Sequence, residues 1–100
     1  MAESAEPIRV IHDEPNHRFE FHLDGETAVL TYRRAGDTIT FIHTRVPDGI
    51  GRHGVGSELV RTGLEYAKSQ GLKVIPLCPF AAAYIRSHAE YLDVVAEKLR

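Results

Sequence analysis

The stretch GRHGVGSELV, residues 51–60, decides how the rest of the chain is interpreted. It places three glycines within six residues and then changes to the apolar spacing of a helix. A helix begins with backbone N–H groups that have no intrahelical partner, and glycine lets a bulky anion approach them closely. Two interpretations follow from the residues alone. The glycines either form a phosphate cradle, or they only supply the positive φ of a tight strand-to-helix connection.

The residues after this stretch predict a strand-helix-strand unit. A buried helical stripe is predicted at Val55, Leu59, Val60, Gly63, Leu64 and Ala67, with Gly71 as the C-terminal cap. Residues 73–78 are typical of a short buried strand, and the order predicts a right-handed crossover with a locally parallel strand pair. Pro79 is suited to open a second helix to about Ser87. In that helix we expect Phe80, Tyr84, Ile85 and His88 to face inward.

The residues before the glycine-rich stretch predict strands. Apolar residues at 8, 10 and 11 mark a short segment, and residues 18–23 alternate strictly, with Phe19, Phe21 and Leu23 on one face. Residues 27–33 and 38–46 are rich in β-formers. Asp24-Gly25 and Ala35-Gly36-Asp37 have the residues of tight turns. These segments together predict an antiparallel meander.

Length and composition restrict the class of protein. The chain of 100 residues suits one domain, residues 1–100, with a core at about residues 8–95. Its 43% hydrophobic and 26% charged residues are those of a soluble globular protein, and its net charge of -2 disfavours nucleic-acid binding. No apolar run approaches the roughly 20 residues that span a bilayer, and the first residues do not form a secretory signal. We therefore expect a cytoplasmic protein without membrane or nucleic-acid partners.

Four motifs in order resemble the small GCN5-related N-acetyltransferase-like (GNAT-like) proteins of about one hundred residues. They are HTRVP (43–47), GVGS (54–57), GLKVIPLCPF (71–80) and YIRSHAEY (84–91). The resemblance implies a compact α+β fold, with a mainly antiparallel sheet of about five strands, a β-α-β crossover and two or more helices. It also implies acetyl-CoA as cofactor and transfer of the acetyl group to an unknown acceptor, an amine or a protein.

The resemblance also implies where the cofactor binds. In this family the turn Q/R-x-x-G-x-G/A cradles the pyrophosphate, and the pantetheine arm lies between two splayed strands. The family glycines fall on Gly54 and Gly56, but Gly51 stands where Gln or Arg is usual. Arg52 and His53 are either phosphate partners or solvated loop residues. The predicted cofactor-binding residues are Arg52, His53, Gly54, Val55, Gly56, Ser57 and Pro79.

Cys78 and His43 are the predicted catalytic residues. Cys78 closes an apolar strand just before a helix, where a thiol pKa is readily lowered, although a buried cysteine is commonly a small hydrophobe. The resemblance places it near the acyl thioester, as an acyl acceptor or as part of the tunnel wall. His43 is either a general base or a structural residue. Arg45 stands where the family often has Glu, which weakens direct transfer and favours the alternative, a non-catalytic CoA or acyl-CoA-binding module.

Two further hypotheses concern the histidines and the glycines. His12, His17 and His22 lack the spacing of a known zinc signature, so we expect surface histidines and no metal site. His88 and Glu90 match a family hallmark, and their expected role is structural. A third functional class stays open, an interaction domain whose glycines only shape a turn.

Overall fold

The computed structural model describes residues 8–51 and 54–96. Its strands are β1 (Ile11–Asp13), β2 (Arg18–Leu23), β3 (Glu26–Ala35), β4 (Thr38–Arg45) and β5 (Lys73–Pro76). Its α-helices are α1 (Val55–Gln70) and α2 (Pro79–Ser87), and short 3-10 segments cover Glu14–Asn16, Asp48–Ile50 and Ala89–Val94. Within these residues no helix is both long and apolar enough to cross a membrane.

The five strands form one sheet in the order of the sequence. The first four are antiparallel neighbours, and β5 pairs with β4 in parallel after the α1 crossover. The α+β class, the meander and the parallel pair are therefore confirmed. The hairpin between β2 and β3 turns at Asp24 and Gly25, with φ of 53° and 79°, the left-handed conformations that these two residue types tolerate.

Helix α1 covers one face of the sheet, which we call the inner face. All six residues of its predicted stripe are buried, and the inner face supplies buried aromatic and aliphatic partners from β2, β3 and β4. These partners are Phe19, Phe21, Leu30, Tyr32, Ile39 and Phe41. The opposite surface of the sheet is called the outer face. It carries the alternate residues of the same strands, as the pleat requires.

Some expectations about individual residues were wrong. Phe80 is 43% exposed, because α2 buries Ala81 and Ile85, four residues apart, and this leaves Phe80 on another side of the helix. His12 is half-buried on the inner face, where its ring stacks on Phe19 at 4.3 Å and its Nε2 lies 2.6 Å from the Tyr32 hydroxyl. Strand β5 ends at Pro76, before Cys78.

Gly63 sets how closely α1 approaches the sheet. A Cβ atom at this position would lie 2.9 Å from Cζ of Phe41 and 3.2 Å from Cδ2 of Leu30. We therefore expect Gly63→Val to lower the free energy of unfolding by about 1–3 kcal/mol through overpacking. Urea unfolding measures this loss. The control Ser69→Val introduces the same side chain at an exposed position of α1, where no overpacking is expected, and an equal loss in both variants would contradict close packing at Gly63.

Candidate active site

A β-bulge in β4 decides which side chains face which side of the sheet. Tyr32 of β3 pairs with Phe41, but the next pair joins Thr31 to His43, so Ile42 is an extra residue in β4. The bulge shifts the alternation by one residue. Thr44, opposite buried Leu30, therefore belongs to the inner face, and His43 belongs to the outer face.

Strand β4 continues beyond the end of β5. The last residue pair between them is Phe41 with Pro76, and the backbone N–H of Cys78 then donates to the Phe41 carbonyl at 3.0 Å. Beyond this bond the chain turns into α2, while β4 runs on to Arg45. The segment from Ile42 to Arg45 consequently pairs with β3 on one side and not with β5 on the other. The two strands diverge next to the Cys78 thiol.

The thiol of Cys78 is buried, with 4% exposure, at the N-cap position of α2. Its Sγ lies 3.2 Å from Oγ1 of Thr44. Burial alone raises the thiol pKa, but interactions with the Thr44 side chain and with the backbone of Ala81 and Phe80 outweigh it, so the pKa of Cys78 is lowered. Because the thiolate is the nucleophilic form of cysteine, this environment favours nucleophilic chemistry.

The start of α1 offers free backbone donors. Gly54 is the N-cap with φ of 97°, a conformation that favours glycine, and among the residues that the structure describes no side chain caps the helix there. The first intrahelical bond runs from the Glu58 N–H to the Gly54 carbonyl, so the amides of residues 55–57 precede the ladder. The only carboxylate of the first turn, that of Glu58, accepts two hydrogen bonds from Arg61. Because Arg61 balances its charge, the Glu58 carboxylate repels a bound anion less.

Phe80 connects the start of α1 with α2. A Cβ on Gly56 would lie 3.0 Å from the Phe80 ring, so the ring rests directly on this glycine. An open groove of about 210 Å³ runs between the two helices. It is lined by Ser57, Phe80, Ala83, Tyr84, Ser87 and His88.

The Tyr84 and His88 rings form a stacked pair in this groove. Their centroids are 3.9 Å apart at 12°, and Nδ1 of His88 lies 2.8 Å from the Tyr84 carbonyl. A carbonyl only accepts, so Nδ1 carries the proton, and a neutral His88 keeps Nε2 as an acceptor. Burial raises the pKa of Tyr84 and keeps its hydroxyl protonated. The groove therefore combines aromatic surface with donors and acceptors.

The structure brings together part of the predicted site. Gly54, Val55, Gly56 and Ser57 open α1, and Pro79 follows Cys78 as the first residue of α2. Contact between Gly56 and Phe80 joins these two helix starts. Arg52 and His53 lie outside the described residues. His43 lies on the opposite face of the sheet from Thr44, the neighbour of Cys78.

Sequence reasoning missed three contributors to the site. Thr44 was not singled out, because strict alternation from Ile39 and Phe41 places it on the outer face, and nothing in the letters IHT signals a bulge. Phe80 was expected in the core, although an aromatic residue directly after a helix-opening proline is as suited to a groove wall. The third is the ion pair of Glu58 with Arg61, which the sequence indicates, because an acid and a base lie three residues apart on a helix.

Comparison with known proteins agrees with this geometry. The family model described as GCN5-related N-acetyl-transferase matches residues 18–94. The chain belongs to the GCN5-related N-acetyltransferase family. Its fold is similar to the NMR solution structure of a GCN5-like protein from Staphylococcus aureus, named there as a candidate N-acetyltransferase, with a TM-score of 0.72 and 30% sequence identity over 93% of this chain and 91% of that one. The family expected from the sequence motifs is therefore confirmed.

The Thr44–Cys78 contact leads to a prediction about the thiol. We expect Thr44→Val to raise the pKa of Cys78, because it removes the hydroxyl that favours the thiolate. A pH titration of the thiolate absorbance in the ultraviolet measures the shift, which should move the midpoint to higher pH. Thr40→Val, on the outer face of the same strand, serves as the matched control. Equal midpoints in both variants would contradict the role given to Thr44.

Proposed function

We propose that this chain is an acetyltransferase that binds acetyl-CoA and passes its acetyl group to an amine. The observation that carries the proposal is the meeting of the two helix starts at Gly56 and Phe80, with free amides on one side and the Cys78 thiol two residues away on the other. A diphosphate and a thioester belong to one coenzyme molecule. Family membership supports the same cofactor.

The start of α1 would hold the coenzyme pyrophosphate. The amides of residues 55–57 and the positive end of the helix dipole attract an anion, and the neighbouring Glu58 charge is balanced by Arg61. Gly54 and Gly56 present no side chain that would hold the diphosphate away. The groove lined by Tyr84 and His88 continues from this point and offers stacking surface to the remainder of the nucleotide.

The free edge of β4 would hold the pantetheine arm. The amide groups of pantetheine require hydrogen-bond donors and acceptors. The backbone from Ile42 to Arg45 can supply them, because it makes no ladder pairs with β5. An extended pantetheine would add to this edge as a short pseudo-strand, as the family resemblance implies. This path leads from the start of α1 to the point where β4 and β5 diverge, which is the position of Cys78.

Cys78 would then receive the acetyl group. Its thiolate attacks the thioester carbonyl carbon, a new sulfur–carbon bond forms, and the bond to the CoA sulfur breaks as CoA leaves and takes up a proton. The acceptor amine next attacks the acetyl-cysteine, which forms the amide and releases the thiolate. The amine must lose a proton in this step. His43 on the outer face is the proposed base, for an acceptor that approaches from that side.

Binding of the coenzyme is tested first. Acetyl-CoA should raise the thermal unfolding midpoint and shift the backbone amide resonances of residues 55–57 in a ¹⁵N NMR spectrum. S-acetylpantetheine, which lacks the diphosphate, should shift these amides far less. Gly54→Ala should weaken acetyl-CoA binding, whereas Gly36→Ala, at a turn distant in sequence with φ of 59°, controls for the cost of replacing a positive-φ glycine. If saturating acetyl-CoA left the amide resonances of residues 55–57 unchanged, the proposed pyrophosphate site would be refuted.

Acyl transfer is tested by intact mass spectrometry. Incubation with acetyl-CoA should add one acetyl group to the protein, and hydroxylamine, which cleaves thioesters but not amides, should remove it. Cys78→Ser should abolish the mass shift while the acetyl-CoA-induced thermal stabilisation persists. Stabilisation without any mass change in the unmodified protein would instead favour a non-catalytic acyl-CoA-binding module. The Thr40→Val variant should acetylate like the parent.

A further inference from the structure

The outer face of the sheet is a second surface, which the proposed coenzyme site does not use. Helix α1 packs on the inner face, and outer-face side chains of β3 and β4 are exposed, as are Ile42 at the bulge and Leu77 just after β5. These exposed residues are Arg33, Ile42, His43, Arg45 and Leu77. Ile42, His43 and Arg45 follow Phe41, the last β4 residue paired with β5, and Leu77 follows the end of β5. An acceptor lying on the outer face would approach this point from the side opposite helix α1.

The charge of this face is positive, although the whole chain carries a net charge of -2. Arg33 and Arg45 have no acidic partner among residues 8–51 and 54–96. Glu20, the buried acid of the outer face, is already bonded by Arg18 and, at 2.7 Å, by Nε2 of His22. No acid in the described part of the chain compensates the positive charges of Arg33 and Arg45, and these charges complement an acidic partner.

The strand register fixes the spacing of these cations. Arg45 lies opposite Val29, His43 opposite Thr31, and Arg33 lies two residues further along β3. Four residues of a strand span about 13 Å, so Arg45 and Arg33 lie about that far apart along the sheet, with His43 midway. In an extended peptide, residues two apart point to the same side. Carboxylates two residues before and two residues after a central amine would match this spacing.

Shape and apolar exposure favour a polypeptide over a small metabolite. Small molecules are usually held in concave pockets that cover most of their surface, whereas an open sheet face suits an extended chain. Ile42 is 39% exposed at the bulge and Leu77 is 66% exposed next to Cys78. Aliphatic surface at these two positions can cover the methylene groups of a lysine side chain on its way to the acyl group.

We propose that the acceptor is a lysine in an acidic polypeptide segment lying across the outer face. This proposal rests on the acetyltransferase function proposed above. Arg33 and Arg45 bind carboxylates two residues on either side of the lysine. Its amine passes between Ile42 and Leu77 towards the acetyl group, beside His43. The preferred acceptor pattern is therefore an acid, any residue, lysine, any residue and an acid.

Peptide binding tests this proposal without acetyl-CoA. A fluorescent peptide with Glu at positions -2 and +2 from its lysine is titrated with the protein, and its anisotropy is followed. A second peptide of equal composition carries the two Glu at -1 and +1, where they point away from the sheet. The first peptide should bind several-fold more tightly, and added salt should weaken its binding.

Variants identify the cations that are responsible. Arg33→Gln combined with Arg45→Gln should weaken binding of the first peptide by about tenfold, the sum of two exposed charge contacts. Lys68→Gln removes one positive charge on α1, away from the outer face, and should bind the peptide like the parent, whereas each single arginine variant should bind it more weakly. Acetyl-CoA-induced thermal stabilisation is measured for each variant. It confirms folding and reports failure of the coenzyme site separately from failure of peptide recognition.

Five results would overturn the proposal. Two of them are equal affinity for the two peptides and unchanged affinity in the double arginine variant. Two more are binding of free lysine or small amines in place of the peptide, and displacement of the peptide by a competitor peptide of the same length that lacks Glu. Competition by a single-stranded oligonucleotide with the same dependence on both arginines would also overturn it in favour of a general polyanion surface.

Discussion

The extra residue in β4 is the constraint on which the site depends. A regular strand would send Phe41, His43 and Arg45 to the same face, and Thr44 to the other. Because Ile42 is bulged, Thr44 joins buried Phe41 on the inner face. The bulge therefore gives Cys78 its hydroxyl neighbour and, in the same step, sends His43 and Arg45 outward. One backbone irregularity thus separates the surface proposed for the thioester from the surface proposed for the acceptor.

Periodicity and turn chemistry predicted most of the fold. Residues 18–23 alternate strictly, and they form β2 with the predicted bounds. Helix α1 follows its apolar stripe from Val55, and Gly71 ends it with φ of 68°. Pro79 opens α2 as expected. These signals are local, because each depends on residues within a few positions of one another, and the structure adds no long-range force that competes with them.

The parts that sequence could not predict depend on contacts between distant elements. The bulge at Ile42 involves no glycine or proline, so its position is set by register against β3 and has no local signal. The contact of Thr44 with Cys78 joins residues 34 positions apart. His12 has a polar side chain that suits the surface, but Tyr32 and Phe19 provide a hydrogen bond and a stacking partner on the inner face. Tertiary partners override the local preference there.

Buried Glu20 explains why the outer face keeps its positive character. A carboxylate with 6% exposure is costly unless it is fully bonded. Arg18 and His22 provide these bonds, and the second ring nitrogen of His22 lies 3.0 Å from the Thr27 hydroxyl. The hydrogen bonds of the Glu20 carboxylate therefore go to Arg18 and His22 on its own strand. It cannot also neutralise Arg45, even though the pairing of Val29 places Glu20 and Arg45 on the same row of the sheet.

The N-termini of α1 and α2 both place partial positive charge at the site. Amides at the beginning of α1 face the proposed diphosphate, and those at the beginning of α2 approach the sulfur of Cys78. Acyl transfer from a thioester develops negative charge on the carbonyl oxygen and on the leaving sulfur, and positive helix ends favour that charge over its neutral precursor. The ring of Phe80 rests on Gly56 between the two starts and keeps part of this region from water. Because charge interactions strengthen where water is excluded, this packing would increase the effect of the α1 start on the proposed diphosphate and of the α2 start on the sulfur of Cys78.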